Sequence, residues 1–396
     1  MGNFGCGDEV WTTVKKIDGN KPLQGHLQIN GSSGLKRGIA VNGCQSKVSY
    51  GNFAVDKFHR LQVASNSLTA VSNYKECALI CVNDPNCSSF NVASSPRLDG
   101  KFLCESLNKD KYTASPEELV NSQGYHYYSI KTSCSSFPCQ NDATCVPDYV
   151  TNQYHCSCAP GYAGNFCEIA LKSCNQVYNT ISSSSQLRTL IIDGQQTAVY
   201  CHMGNFGCGN GGWTTVMKVD GTKSTFNNNA NYWTNKDPYN LVGGQTGFDS
   251  QETKLPTYWD TPFTKICLGM KIGSQKRFTL INKQASSFHS LIAQGQYHAT
   301  SIGRNTWKWL IGSQSSMQHS CNKEGFNVAA GENNEQKIRI GIFANQEDDC
   351  ATPDSKIGFG MGGSSSTNTC GNVANGKFSP DNGDKNIRAI GYILVQ

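Results

Sequence analysis

The chain has 396 residues, enough for roughly two to four domains. Only 16% of its residues are charged, its net charge is +5, and it contains 40 glycines and 19 cysteines. This charge is too small and scattered for a nucleic-acid-binding protein and too basic for a protein that nucleates a mineral directly, and no apolar run reaches transmembrane length. The composition predicts a multi-domain, mostly β protein with short helices, rich in disulfides and secreted into an oxidising compartment.

The N-terminal segment is repeated further along the chain. Residues 1–21 read MGNFGCGDEVWTTVKKIDGNK, and residues 203–223 read MGNFGCGNGGWTTVMKVDGTK. Neither the charged start nor the apolar core of a secretory signal follows Met1. We therefore expect Met1 to be an internal methionine of a longer protein, and residues 1–50 to be a truncated remnant of the repeat followed by a linker. The odd number of cysteines agrees with such a truncation.

A short helix flanked by strands is predicted in the next part of the chain. Residues 73–84 have helical character, and Ser72 or Asn73 can cap their first turn. Cys77 and Cys81 are four residues apart, so both lie on one helix face and point toward a sheet. Alternating aromatic and aliphatic residues predict strands at 88–92, 101–107 and 125–130.

This pattern extends over residues 58–132. A helix with Cys-x3-Cys, a third cysteine, a Ser-Phe-Asn strand and a later strand with a cysteine resemble the PAN/apple domain. The resemblance implies an α+β domain in which Cys77–Cys104 joins the helix to the sheet and Cys81–Cys87 closes the turn after the helix. PAN/apple domains bind proteins or carbohydrates, and the resemblance identifies no contact residue in this chain.

Six cysteines follow with the spacing C-x4-C-x5-C-x10-C-x-C-x8-C, from Cys134 to Cys167. About forty polar residues cannot bury enough apolar surface to fold alone, so disulfides must constrain them. Zinc is the alternative, but the chain has no C-x-x-C pair, the usual thiolate clamp for zinc. Six cysteines allow fifteen pairings, and the spacing alone does not choose among them.

The spacing and the Gly-aromatic-x-Gly-x-x-Cys ending resemble an EGF-like module over residues 133–168. The resemblance implies the pairs Cys134–Cys145, Cys139–Cys156 and Cys158–Cys167. Calcium-binding EGF modules carry acidic residues before the first cysteine, whereas residues 130–133 read Ile-Lys-Thr-Ser. We therefore expect no calcium in this module, and a role as a rigid spacer between two larger domains rather than as a receptor ligand.

The C-terminal part of the chain, residues 170–396, is rich in Gly, Asn, Ser and aromatic residues. Trp307 and Trp309 alternate along a strand-like stretch, so we expect them to share one buried face. Short apolar segments separated by turn signals predict strands at 189–192, 212–216, 266–272, 278–281, 338–343 and 390–395.

A second resemblance covers this part of the chain. Cys174, Asp193-Gly194, Val199-Tyr200-Cys201 and Gly211-Gly212-Trp213-Thr214 resemble the opening of fibrinogen-related and intelectin-like α+β domains. The resemblance implies the pair Cys174–Cys201 and a Gly-Gly-Trp segment in the core sheet. The order of the three modules is similar to that of cnidarian extracellular proteins, some of them from the skeletal organic matrix of stony corals.

One acidic run beside Cys350 is the strongest candidate for a metal site. Calcium takes several oxygen ligands on irregular loops, and the related domains hold calcium near this region. The alternative is a solvated acidic loop. Intelectin-like sugar binding also uses a histidine beyond this cysteine, and no histidine follows His319, which counts against sugar binding. The candidate calcium ligands are Glu347, Asp348, Asp349 and Asp354.

The remaining motifs concern catalysis, glycosylation and pairing. No Gly-x-Ser-x-Gly elbow, His-Glu-x-x-His or phosphate loop occurs, so we expect no enzyme. Asn30 begins a glycosylation sequon, and the sequon at Asn86 is weaker because disulfide formation at Cys87 competes with it. The sequence leaves the partners of seven cysteines open: Cys6, Cys44, Cys208, Cys267, Cys321, Cys350 and Cys370.

These observations predict a secreted extracellular-matrix or adhesion protein, with a structural role in the organic matrix of a mineralised skeleton. The alternatives are a calcium-dependent, lectin-like recognition protein acting through residues 170–396, and a signalling ligand acting through the EGF-like module. The expected partners are extracellular proteins or glycans and a mineral-associated matrix, but not nucleic acid.

Overall fold

The structure is a computed structural model. It describes residues 48–149, 151, 153–330, 336–362 and 368–396, with side chains from Phe53 onward, and the backbone of two earlier short strands. Asn30, Cys6, Cys44 and most of the expected remnant at 1–50 lie outside the described residues. The chain divides into residues 1–159 with 165–168, and residues 160–164 with 169–396. In the part described, no helix has the length and apolar character needed to cross a membrane.

The first unit contains an antiparallel sheet of seven strands and one helix. The sheet order is β1-β3-β9-β6-β7-β5, with β2 paired to β3, while β4 and β8 pair separately. Because β3 pairs with β9, the sheet begins before the expected domain boundary at 58. The elements are β1 (Thr12–Ile17), β2 (Lys36–Arg37), β3 (Val48–Asp56), β4 (His59–Leu61), β5 (Ser65–Val71), α1 (Tyr74–Asn83), β6 (Ser89–Ala93), β7 (Phe102–Leu107), β8 (Leu119–Asn121) and β9 (Tyr125–Ile130).

Helix α1 begins after Asn73, whose side chain accepts hydrogen bonds from two backbone N–H groups of the first turn. Such a cap satisfies donors that have no partner within the helix. Cys77 and Cys81 are on the buried face of α1. Disulfides join Cys77 to Cys104 on β7 and Cys81 to Cys87 beyond the helix end. The helix is thereby fixed covalently to the sheet that it covers.

The EGF-like segment is a small hairpin held by disulfides. Strands β10 (Thr144–Asp148) and β11 (Gln153–Ser157) pair antiparallel. The backbone N–H of Gln140 donates to the Phe166 carbonyl oxygen over 2.8 Å, and the Asn141 side chain donates to the Cys167 carbonyl oxygen over 2.7 Å. The three disulfides are Cys134–Cys145, Cys139–Cys156 and Cys158–Cys167.

The second unit has two large antiparallel sheets. The first follows the order β14-β15-β16-β26-β18-β19, with β17 paired to β16, and the second follows β20 to β25 in chain order. The elements are β12 (Tyr162–Ala163), β13 (Ile169–Ala170), α2 (Cys174–Thr180), β14 (Gln186–Ile192), β15 (Gln195–Met203), β16 (Gly212–Asp220), β17 (Thr253–Lys254), α3 (Thr257–Asp260), β18 (Phe263–Ile272), β19 (Gln275–Ala285), α4 (Phe288–Ile292), β20 (His298–Ala299), α5 (Arg304–Ile311), β21 (Ser320–Ala330), β22 (Gln336–Asn345), β23 (Ser355–Met361), β24 (Cys370–Ala374), β25 (Lys385–Arg388) and β26 (Ile390–Val395).

The largest core of the second unit takes side chains from both sheets and from α3, α4 and α5. The closing strand β26 lies between β16 and β18, so the C-terminus is part of the central sheet. At the start of β16, a Cβ on Gly212 would lie 2.0 Å from the Cys174 carbonyl oxygen, and no side chain fits there. Disulfides Cys174–Cys201, Cys208–Cys267 and Cys321–Cys350 close this unit. The fold is mostly β with short helices and many disulfides, which confirms the predicted fold class.

The interpretation of Trp307 and Trp309 as one face of a strand is wrong. Both belong to helix α5, where Trp307 is fully buried and Trp309 is 58% exposed. Residues two apart lie on opposite sides of a helix. The spacing of Trp307, Leu310 and Ile311, which are all buried, is the helical signal that the alternation concealed.

Candidate functional site

The acidic run predicted to bind calcium lies in the loop between β22 and β23. Glu347, Asp348 and Asp349 are exposed, whereas Asp354 is half-buried. The Asp349 carboxylate accepts the backbone N–H of Ala351 over 2.8 Å and so serves the loop's own turn. Burial and the nearby Glu347 carboxylate raise the pKa of Asp354. The loop thus places Glu347 and Asp354 near each other.

The four carboxylates do not form a donor set for calcium. Among the described residues, no three His, Cys, Asp or Glu side chains gather closely enough to hold a metal ion. Calcium ordinarily takes six to eight oxygen ligands. The residues present therefore do not fit the ion in this conformation, and the calcium site at this loop stays a prediction.

Calcium binding at this loop has a direct test in thermal unfolding. The prediction requires millimolar calcium to raise the melting temperature of the chain, because a ligand bound only to the folded state stabilises it. It also requires the double variant Asp348→Asn, Asp349→Asn to abolish the rise, since the amides keep the size and lose the charge. Equal melting temperatures of the wild type in calcium and in chelator would show that the run is a solvated loop.

The carboxylate of Asp381 forms ion pairs with two cationic side chains of α5. Arg304 Nη2 lies 2.5 Å from the Asp381 carboxylate, which also pairs with Lys308 and accepts the backbone N–H of Met317 over 3.0 Å. Burial alone would raise the pKa of Asp381, but the hydrogen bonds from Lys308, Met317 and Arg304 lower it to about 2. This carboxylate ties α5 to the loop before β25 and is not free for a metal.

Glu324, on β21, positions the start of α5. Its buried carboxylate accepts the indole N–H of Trp307 over 2.6 Å, the backbone N–H of Gly303 over 3.0 Å and the hydroxyl of Thr300 over 3.1 Å. Three donors around one carboxylate satisfy groups that burial would otherwise leave unpaired. The sequence offered no signal for this role, because Glu324 is an ordinary charged residue in a strand.

We expect Glu324→Ala to lower the free energy of unfolding by about 2 kcal/mol, because it leaves the buried indole and backbone donors without an acceptor. Glu324→Gln keeps an acceptor oxygen and should lose less. Urea unfolding followed by tryptophan fluorescence measures the change. The control is Glu347→Ala, which removes an exposed glutamate and should change stability by less than about 0.5 kcal/mol. Equal losses for the two alanine variants would contradict the role of Glu324.

A buried polar cluster lies at the first sheet of the second unit. Lys218 is 2% exposed, and its Nζ donates to the Asp249 carboxylate over 2.6 Å and to the Gly247 carbonyl oxygen over 3.1 Å. His202 stacks on Phe248 with ring centroids 3.8 Å apart. Burial, with the nearby cations Lys218 and Lys276, lowers the pKa of His202 to about 3. Lys218 is thus held by its hydrogen bonds while the imidazole of His202 stays neutral.

Comparison with known proteins identifies one module. Residues 134–166 match the family model of the EGF-like domain. This is the disulfide-bonded segment that carries the β10–β11 hairpin, so the chain contains an EGF-like domain.

Relatives of known name share only short segments with this chain. The inactive serine protease PAMR1 of Homo sapiens is 45% identical over 56 residues, which is 14% of this chain and 8% of that protein. Fibulin-7 of Homo sapiens is 54% identical over 37 residues, 9% of this chain and 8% of that protein. Protocadherin Fat 4 of Homo sapiens is 26% identical over 137 residues, 29% of this chain and 3% of that protein. The chain spans less than a tenth of each of these relatives.

Proposed function

We propose that the chain is a secreted protein of the extracellular matrix or of cell adhesion. The observation that carries the proposal is the EGF-like domain at 134–166. The β-rich parts before and after it in sequence are also cross-linked by disulfides. Disulfides of this number persist in oxidising compartments and are rare in the cytosol. The similarity of parts of the chain to fibulin-7 and protocadherin Fat 4 supports an extracellular protein.

Within this class, we propose that the chain is a structural component of the organic matrix of a mineralised skeleton. The support is the resemblance of the module order to cnidarian extracellular proteins from such matrices. The net charge of +5 favours a framework component over a protein that nucleates the mineral. In this role the EGF-like hairpin, fixed by three disulfides within a short segment, serves as a stiff spacer between the larger parts.

The test uses skeleton and soft tissue of the source animal and antibodies against the chain. A structural matrix protein should be enriched in the acid-insoluble fraction that remains after demineralisation, and should leave it on reduction in denaturant. Actin, which is cytosolic, is the control for tissue carried into that fraction. The antibody must first be shown to recognise purified chain that is added to the insoluble fraction. Detection of the native chain in the soluble tissue fraction alone would then refute the skeletal role.

The alternative of a calcium-dependent lectin is not supported. It requires a calcium ion held by the acidic loop of residues 347–354, and the described part of that region gathers no donor set. We therefore do not propose it as a second function.

A further inference from the structure

A polar pocket of about 390 Å³ opens in the second unit, away from the acidic loop. It lies between the β21–β22 hairpin, the loop after α4 and the loop between β16 and β17, and its volume falls in the range of small-molecule sites. Its lining includes the polar side chains of Asn229, Thr234, Gln294, Asn327, Lys337 and Arg339.

Arg339, one of the lining residues, is fixed by packing and by two hydrogen bonds. Its Nε donates to the Asn228 carbonyl oxygen over 2.8 Å, and its Nη1 donates to the Asn327 side-chain oxygen over 3.2 Å. Its aliphatic stem crosses Gly360, where a Cβ would lie 2.6 Å from Cγ of the arginine. Gly360 also has a φ of +62°, a conformation that L side chains rarely adopt. The guanidinium is therefore held in place before any ligand arrives.

Asn327 joins two walls of the pocket. It has a φ of +49° within β21, a left-handed conformation that asparagine tolerates better than most residues. Its side-chain nitrogen donates to the carbonyl oxygens of Ile292 over 2.9 Å and Gln296 over 3.1 Å, which anchors the loop after α4. Its side-chain oxygen is the acceptor for Arg339. The pocket is thus a pre-organised feature of the fold.

The charged side chains in the described lining of the pocket are all positive. Its described lining contains two cations, Lys337 and Arg339, and no carboxylate. Neither cation forms an ion pair with another described residue. Arg339 is half-buried and Lys337 is exposed, so the guanidinium has lost part of its hydration without gaining a counter-ion among the described residues. A charge in that position is stabilised when an anion enters.

We propose that this pocket binds an acidic saccharide, a sugar unit that carries a carboxylate or a sulfate. Two N–H groups of the guanidinium already donate to Asn228 and Asn327, and the others can donate to the oxygens of such an anion, while Lys337 adds a second positive charge. The side chains of Asn229, Thr234 and Gln294 are exposed and can both donate to and accept from sugar hydroxyl groups. Binding here needs no calcium, and the proposal does not depend on a matrix role.

The test is isothermal titration calorimetry of the whole chain in chelator with three tetrasaccharides. A sulfated heparin tetrasaccharide and tetragalacturonate are the acidic probes, and maltotetraose is neutral. We expect at least one acidic probe to bind, with an affinity that falls as salt is raised, and maltotetraose not to bind. The acidic probe that binds identifies sulfate or carboxylate as the recognised group. Failure of both acidic probes, or equal binding of maltotetraose, would overturn the proposal.

Three variants locate the site. Arg339→Gln should weaken binding about tenfold or more, because it removes charge-assisted hydrogen bonds. Lys337→Gln should weaken it about threefold, as for an exposed ion pair, and does not disturb the pocket walls. Lys377→Gln makes the same charge change at an exposed position outside the lining and should bind as the wild type does. If Arg339→Gln does not fold, Lys337→Gln decides, and wild-type affinity in that variant assigns binding to another surface.

Discussion

Replacing Cys208 and Cys267 together by alanine lowers the free energy of unfolding of the second unit by about 4 kcal/mol, the largest effect that we expect from a pair of substitutions. The disulfide joins residues separated by 59 positions, and closing a loop of that length restricts the unfolded chain strongly. Both cysteines are buried in a cluster with Trp213, Phe278 and Tyr392. The replacement therefore also leaves a cavity beside aromatic side chains.

Urea unfolding followed by tryptophan fluorescence measures this loss, because five of the six tryptophans belong to residues 170–396. The matched control is the double alanine variant of Cys321 and Cys350, a half-buried pair with a separation of 29. The shorter loop alone should make the loss of unfolding free energy in this control about 0.6 kcal/mol smaller than in the variant of Cys208 and Cys267. The control pair is also less buried, so the difference between the two variants should be larger than that. A greater loss for Cys321 and Cys350 would contradict the account.

Periodicity predicted segments of nine of the strands that build the two units, namely β6, β7, β9, β14, β16, β18, β19, β22 and β26. The alternation at 338–343 predicted part of β22, and the apolar run at 390–395 predicted β26 with its bounds. The cap and the cysteine spacing similarly predicted α1. These signals are local, since the pattern that buries one face of a strand or helix is written in consecutive residues.

Long-range pairing was not predictable in the same way. Residues 48–56 have little alternation, yet they form β3 because β1 and β9 pair with them on either side. Trp307 and Trp309 were misread for a related reason, since alternation over three residues does not separate a strand from a helix. Such elements depend on partners that are distant in sequence.

In the candidate sites too, residue types could be predicted from the sequence, but contacts between distant residues could not. Composition identified the acidic residues 347–349, but not that the Asp349 carboxylate accepts a backbone N–H of its own loop. For the saccharide pocket a partial signal existed, because Arg339 alternates with the buried Ile338 and Ile340 and so faces away from the core. Nothing in the sequence indicated that Asn327 would meet it. The pocket is assembled from segments that are brought together only by the second sheet.

Acid should weaken the second unit through His202, starting as the pH falls below 6.5. Burial beside Lys218 and Lys276 lowers the pKa of His202 to about 3, from the ordinary value of 6.5. Between pH 6.5 and about 3, His202 is protonated in the unfolded chain and neutral in the folded chain. The stability associated with His202 is therefore fully present above pH 6.5 and is lost as the pH falls toward 3. We expect a loss of about 3 kcal/mol between pH 7.5 and 4.5.

Two variants isolate the contribution of His202 to this loss. The pKa of Asp249 and that of Asp381 are also lowered, so their contributions are lost only below their ordinary value of 3.8 and lie outside the chosen window. His202→Asn removes the titrating group and should flatten the dependence of the unfolding free energy on pH between 7.5 and 4.5. His319→Asn replaces an exposed histidine and should keep the wild-type slope. If His202→Asn keeps that slope as well, the imidazole is not held neutral by its burial against the two lysines, and another group carries the acid sensitivity.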